Sequence, residues 1–325
     1  MSILKETRLI PPMRLRSERP VRRSIVKILA LILRGKSRAH AQDAWPGLRL
    51  QVPRCDHSAG KIEYRGANIA PLSHPLELKN AAGEEIHIIG SGPSIRDNDI
   101  TAIAPGGAIL LNGAISLLGR EIKQPLAVAI EDERFVWRHF SLMRERIARG
   151  TICLLSVSVI RAICEIDAAW LADKKIILID DIRKPYAGAR RDIFALASLN
   201  FVRLSEDGAC GFSEQPACGV LQGGSVVVSV LQFAIFCRPK SIGLFGIDIS
   251  NADKPRFYEK AGDAARSGVA AARDRILGHV AVAKTVCEEH GIELFNFSAV
   301  SALQEVGLVY NERYAACALR DNSSL

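Results

Sequence analysis

The sequence predicts an α/β fold: one doubly wound domain built on a mostly parallel sheet, preceded by a basic extension. Three observations carry this. From residue 86 onward, short apolar, β-prone runs alternate with longer stretches of helical periodicity. The runs lack the in-and-out alternation of a half-solvated strand, so they read as strands covered on both faces by helices. The first run, 86–89, leads straight into Gly90-Ser91-Gly92-Pro93-Ser94, the kind of turn that opens the first crossover of such a sheet.

Taken in order, the expected strands are 86–90, 107–111, 126–130, 152–156, 175–180, 241–246 and 292–297. Helical patterns fill 94–103, 133–149, 158–171, 190–198, 225–237 and 264–290. Together they make a Rossmann-like domain over 85–310, with 311–325 as a tail. The stretch 181–222, rich in loop formers and carrying Arg190 and Arg191, is expected to act as a lid over the strand ends. Residues 41–84, with Pro46, Pro53, Pro71 and Pro75 among polar residues, read as a connector with a short hairpin or two.

At 325 residues and 48% apolar content the chain can bury a sizeable core. The net charge of +8 is concentrated: between Lys5 and Arg38 eleven Lys or Arg stand against two Glu. The excess therefore describes an N-terminal segment and not a nucleic-acid-binding face. Within that segment the apolar run 25–33 is broken by Lys27 and is too short to span a bilayer. Residues 1–40 thus read as a basic amphipathic segment lying on an anionic membrane surface, with Lys and Arg on lipid phosphates. An ordinary helix packed on the domain, or a secretory signal cleaved after Ala39-His40-Ala41, are the alternatives.

The eight cysteines include no Cys-x-x-Cys and no zinc-type spacing, so no metal site is expected. Cys153, Cys164 and Cys237 lie in apolar runs as small core residues; Cys210 and Cys218 flank a loop and could pair in an oxidising compartment. A reduced, cytoplasmic setting fits this usage.

Ligands of open α/β sheets lie outside the carboxyl ends of the strands. That rule selects the turn Gly90, Ser91, Gly92, Pro93 and Ser94, then Asn112, then Glu131 and Asp132, then Gly246 and Asp248. Gly90 and Gly92 would let a phosphate approach the backbone, and Ser91 or Ser94 would cap or donate to it. A plain tight turn is the alternative. Asn112 replaces the acidic residue of dinucleotide sites, Ile95 stands where their third glycine would be, and no Walker motif is present. A nicotinamide cofactor is therefore disfavoured. The acidic run 131–133 also suits a helix cap. His139 and His290 read as structural, at a helix interior and a helix end.

The turn Gly90–Ser94, Asn112, the run 223–236, Gly246-Ile247-Asp248 and Leu277-Gly278-His279 resemble the bacterial family-42 sialyltransferases over roughly 86–306. More loosely they resemble their relatives in flagellin glycosylation and pterin pyrophosphorylation. The resemblance implies a metal-independent, inverting transferase that needs no cofactor. It would move an acidic keto-sugar, sialic acid or Kdo in type, from a CMP-sugar to a glycolipid or oligosaccharide acceptor such as lipooligosaccharide. The enzyme would work at the inner face of the inner membrane. In that reading Ser91 stands where the family has a nucleotide-contacting Asn, and Asn112 matches a nucleotide-binding Asn. Ser225, Gly246 and Asp248 wall the nucleotide pocket, and His279 is the catalytic base. Of two tyrosines that hold the leaving phosphate, Ser250 stands at the first, and Tyr258 or Arg256 would replace the second. Glu131 and Asp132 occupy a place where the family has a neutral Asn near the sugar. A neutral imidazole suits proton abstraction near pH 7, and His279 also fits a satisfied core histidine. A pyrophosphokinase-like enzyme using ATP and metal, and a non-catalytic nucleotide-binding protein, are the rival readings; a homo-oligomer is compatible with each.

Overall fold

The computed structural model describes residues 21–40, 42–53, 59–249, 257 and 270–316. Its strands are β1 Leu48–Gln51, β2 Gly60–Tyr64, β3 Ala67–Ser73, β4 Glu85–Ile89, β5 Ala108–Leu111, β6 Ala127–Ile130, β7 Ile152–Ser156, β8 Lys175–Ile179, β9 Val202–Leu204, β10 Gly211–Ser213, β11 Ser241–Phe245 and β12 Glu293–Asn296. Its α-helices are α1 Val21–Arg34, α2 Leu76–Ala81, α3 Glu133–Arg146, α4 Val157–Asp167, α5 Ile193–Ala197, α6 Val226–Phe236 and α7 Arg273–Glu289.

Ten strands form one sheet in the order β1-β2-β3-β8-β7-β6-β5-β4-β11-β12, parallel from β3 to β12. The chain builds outward from β4 to β8, then returns to lay β11 and β12 on β4's other side. The order therefore reverses between β4 and β11, the topological switch point beside which such sheets bind ligands. Strands β5 and β6 are buried at every position, and β4 at all but its first, as expected of strands covered on both faces. One face is covered by α3, α4 and the 3-10 turns after β4 and β5; the other by α6 and α7. Helix α6 is apolar except for Ser229 and Gln232 and buried from Val226 to Ile235, sandwiched between sheet and α7.

Every expected strand is present within a residue or two. Other elements differ. The stretch read as a connector forms the antiparallel meander β1–β3, which extends the sheet through the β3–β8 pair. The pattern 94–103 becomes two 3-10 turns, because Asp99 caps the Thr101 N–H and ends the first run. Helix α5 covers only five residues of 190–198. The stretch 181–222 is an insertion with its own small core of Ile182, Leu196, Val202 and Leu221. Gln232 of α6 fastens it: its Oε1 accepts from Ser213 N and Leu221 N, both at 3.0 Å, and its Nε2 donates to Leu221 O at 2.9 Å.

Helix α1 is attached by its cations. Arg23 pairs with buried Glu133, which also binds Arg161, and the Arg22 and Arg161 guanidiniums lie 5.4 and 4.5 Å from the Trp45 ring. Ala30 and Val26 face the domain; Ile25, Ile28, Leu29 and Ile32 are 50–71% exposed. Spaced i, i+3, i+4, i+7, those four line the side of the helix opposite its docked face. Among the described residues no helix is long and apolar enough to cross a membrane.

Candidate functional site

The predicted site residues fall into three groups along the C-terminal edge of the sheet. The first is at the switch point. Gly90 N donates to Phe245 O at 2.7 Å and Gly92 N to Gly246 O at 2.9 Å, so the turn after β4 is laced to the turn after β11. A Cβ on Gly92 would lie 2.5 Å from Asp248 Cγ and 2.7 Å from Gly246 O, and one on Gly90 would collide with Gly246 O. These glycines admit the backbone of the turn after β11. Ser94 is likewise committed, its N–H 2.8 Å from Asp248 Oδ2 and its hydroxyl on Asp248 Oδ1. Pro93 starts the 3-10 turn, and Gly246 holds φ at +60°. The donors expected to cradle a phosphate are therefore used in closing the two turns together. Burial raises the Asp248 carboxyl above its ordinary range, opposed by the Ser94 bonds. Phe257 joins this region through its N–H to Ser91 O at 3.4 Å and its carbonyl to Arg96 Nη2 at 2.8 Å. Its neighbours Arg256 and Tyr258, with Ser250, lie outside the described residues.

The second group crowns β5 and β6. Asn112 leaves β5 with φ at +45°, a conformation that asparagine tolerates better than most residues. Its amide Oδ1 is sealed from solvent and has no hydrogen-bond partner. Glu131 leaves the adjacent strand, and its Oε2 is equally sealed and unpartnered. Burial pushes the Glu131 carboxyl from 4.5 to about 7; the Ser229 hydroxyl of α6 acts the other way, and Asp181 and Asp132 add to the rise. Asp132 has a different task, as the sequence alternative allowed: it caps α3 by accepting from Arg134 N at 3.0 Å and pairs with the Arg134 Nε at 2.7 Å. A buried, strained or unpaired polar group at a strand terminus is where binding sites are found, and this pair meets that description twice over.

The third group is where α6 and α7 begin. Ser225 is the N-cap of α6, and its hydroxyl makes no capping bond. His279 is 2% exposed: its Nδ1 is 3.1 Å from Gly211 N and 2.7 Å from Gly211 O, and its Nε2 is sealed without a partner. Burial lowers its proton affinity, opposed by the Gly211 backbone bond and reinforced by Arg183 and Arg275. A Cβ on Gly278 would meet Cys210 Sγ at 2.5 Å. The triplet Leu277-Gly278-His279 is thus the seat of strand β10. His279 packs under Gly223 and holds the Gly211 backbone.

Sequence reasoning did not assemble the cations beside this third group. Arg183, Lys184, Arg190, Arg191 and Arg275 line an open hollow of ≈ 430 Å3 with Asp181 as its one carboxylate. The signal was visible as two basic dipeptides in the insertion and Arg275 one helical turn before His279. Asp180, beside it, is pushed by burial from 3.8 to about 7 and accepts from Tyr186 N at 3.0 Å. Cys210 and Cys218 are both free thiols. Among the described residues no three His, Cys, Asp or Glu side chains gather as a metal centre would require.

No family model matches the chain, and no curated protein matches it. Among solved structures, the sialyltransferase CstII from Campylobacter jejuni with the substrate analogue CMP-3FNeuAc is 14% identical. The match covers 72% of this chain and 88% of that one, with a TM-score of 0.35. CST-II with a trisaccharide acceptor and CMP is 12% identical over 70% of this chain and 85% of that one, TM-score 0.34. The apo alpha-2,3-sialyltransferase from Campylobacter jejuni is 15% identical over 72% and 82%, TM-score 0.32. Likeness at this level leaves the fold resting on its own strand order and the site on its own geometry.

Proposed function

We propose that the protein is an inverting glycosyltransferase that moves an acidic keto-sugar, sialic acid or Kdo in type, from CMP to a glycolipid or oligosaccharide acceptor. The observation that carries this is the pair of unpartnered oxygens on neighbouring strand ends, Asn112 Oδ1 and Glu131 Oε2. A primary amide accepts through Oδ1 and donates through Nδ2, the complement of a cytosine's amino group and ring acceptors. In this reading cytidine lies against Asn112 beside the switch point. The sugar extends past Glu131, and its carboxylate meets the N-terminus of α6 at Ser225, where backbone N–H groups and the helix dipole favour an anion.

Transfer requires a base for the acceptor hydroxyl and donors for the departing phosphate. A carboxyl titrating at about 7 is matched to the first task, which favours Glu131, a partly exposed residue, over His279, which is 2% exposed. The attacking oxygen would give its proton to Glu131 as its bond to the anomeric carbon forms and the bond from that carbon to the CMP phosphate oxygen breaks. Donors for that phosphate fall to Arg256 and Tyr258. This reading assigns each role to the chain's own side chains and calls on no metal or cofactor. The exposed stripe of α1, followed by Lys36 and Arg38, supports docking on an anionic membrane, where lipid-linked acceptors lie.

Calorimetric titration of the full-length protein with CMP, UMP and ATP/Mg2+ tests the reading. CMP should bind, UMP should bind at least tenfold more weakly, and Asn112→Gly should remove the difference. Binding of ATP/Mg2+ in place of CMP would instead support the pyrophosphokinase-like alternative.

A further inference from the structure

The nucleotide end of the donor as placed above does not reach the cationic hollow; only the sugar carboxylate at Ser225 would lie at its edge, beside Gly224. Strand spacing puts β8, whose end opens into it, about 14 Å from β5 and about 19 Å from β4. Five cations against one carboxylate also exceed what a single phosphodiester or carboxylate would neutralise.

The guanidiniums are held in advance of any ligand. Arg183 donates to Gln222 O, Arg191 Nη1 to Ile182 O at 2.7 Å, and Arg275 Nε to Gly223 O at 3.0 Å. Each fork keeps further N–H groups for an incoming oxyanion. A Cβ on Gly224, φ +93°, would lie 2.5 Å from Arg275 Nη2, so glycine there lets α7's first turn close on the loop. Lys184 and Arg190 meet no carboxylate among the described residues and complete the rim. That rim is tied to the chain just after α1: Arg190 N donates to Ser37 O at 2.8 Å, and His40 Nε2 lies 3.1 Å from Pro185 O. A surface engaged by α1 would therefore lie next to the hollow.

We propose that this hollow is a phosphate-monoester subsite, and that the acceptor of the transferase carries such a group, as a sugar phosphate or a lipid headgroup. The assignment to the acceptor rests on the glycosyltransferase reading; binding of a phosphate monoester does not.

The test is titration of the full-length protein with inorganic phosphate, glucose 1-phosphate and glucose, with and without saturating CMP. Vesicles of phosphatidylcholine containing phosphatidic acid form a second arm. Glucose 1-phosphate and phosphate should bind and glucose should not, with affinity falling as salt rises. Lys184→Gln/Arg190→Gln touches no internal bond and should weaken binding about tenfold per cation removed. CMP affinity should be the same with the hollow filled. Retention on phosphatidic acid vesicles that glucose 1-phosphate displaces would identify a lipid source; soluble binding without such displacement would identify a sugar phosphate. Absence of phosphate binding, or binding unchanged in the double variant, overturns the subsite. Competition between glucose 1-phosphate and CMP overturns its assignment to the acceptor. A protein that binds the monoester but not CMP keeps the subsite and loses the donor reading.

Discussion

Replacing Glu131 by Gln is expected to stabilise the protein above neutral pH and to leave it nearly unchanged in acid. Burial raises this carboxyl from 4.5 to about 7. Between those values the unfolded chain has given up the proton and the folded one keeps it. Stability is therefore full below the unfolded value and is lost as pH rises through the folded one. The loss is about 3 kcal/mol once the folded group has ionised. Glutamine keeps the shape and never ionises, so at pH 8 the variant should exceed the wild type by up to about 3 kcal/mol. For a chain of 325 residues that is on the order of 4 °C in Tm. Urea midpoints at pH 4 and pH 8 measure it, and Asp180 and His87, which titrate in both proteins, cancel in the difference. The same variant should lose CMP-sugar cleavage, as expected of a group kept at a cost in stability. An increment independent of pH, or destabilisation at pH 8, would refute the reasoning.

Four further outcomes follow from the same contacts. His87, buried among Phe245, Phe297 and Tyr314, is lowered by burial from 6.5 to about 4; stability should fall as pH drops through that window, and His87→Gln should flatten the acid limb of a denaturation series. Gly92→Ala should cost 2 kcal/mol or more, roughly an overpacked core site, because its methyl meets Asp248 and Gly246; urea unfolding that shows no loss would contradict the laced turns. His279→Ala should loosen β10, seen as faster amide exchange at Gly211–Ser213, while His279→Asn restores part of that protection and part of the activity. Glutamine at Ile25, Ile28, Leu29 and Ile32 together should abolish sedimentation with anionic vesicles and leave Tm within a degree or so, since these side chains face away from the domain.

The central strands were legible because both faces are buried, which leaves an uninterrupted apolar run in the chain. The meander showed only as a hairpin or two within a connector, because its strands are short and Pro71 sits within β3. The hairpin β9–β10, three residues a strand, carries too little pattern to register. Asn112 and Glu131 were singled out by position, from the rule that strand ends carry function, and Asn112 by the resemblance as well. The glycines of the first turn were read as space for a phosphate or as a plain tight turn; their contact with Gly246 lies more than a hundred and fifty residues on and has no local signal. His279 shows the same limit, since its partner Gly211 is 68 residues away. The cations of the hollow come from the insertion and from α7, and only folding makes them one surface.

The central claim is that this sheet edge cleaves a CMP-linked acidic sugar. Its most direct test is release of CMP from CMP-N-acetylneuraminate and from CMP-Kdo by the full-length protein, compared with Asn112→Gly. The account predicts release from one of the two donors that falls at least tenfold in the variant, whose glycine keeps the backbone at φ +45° and removes only the amide. Release from neither donor, or release that the variant leaves unchanged, would contradict it.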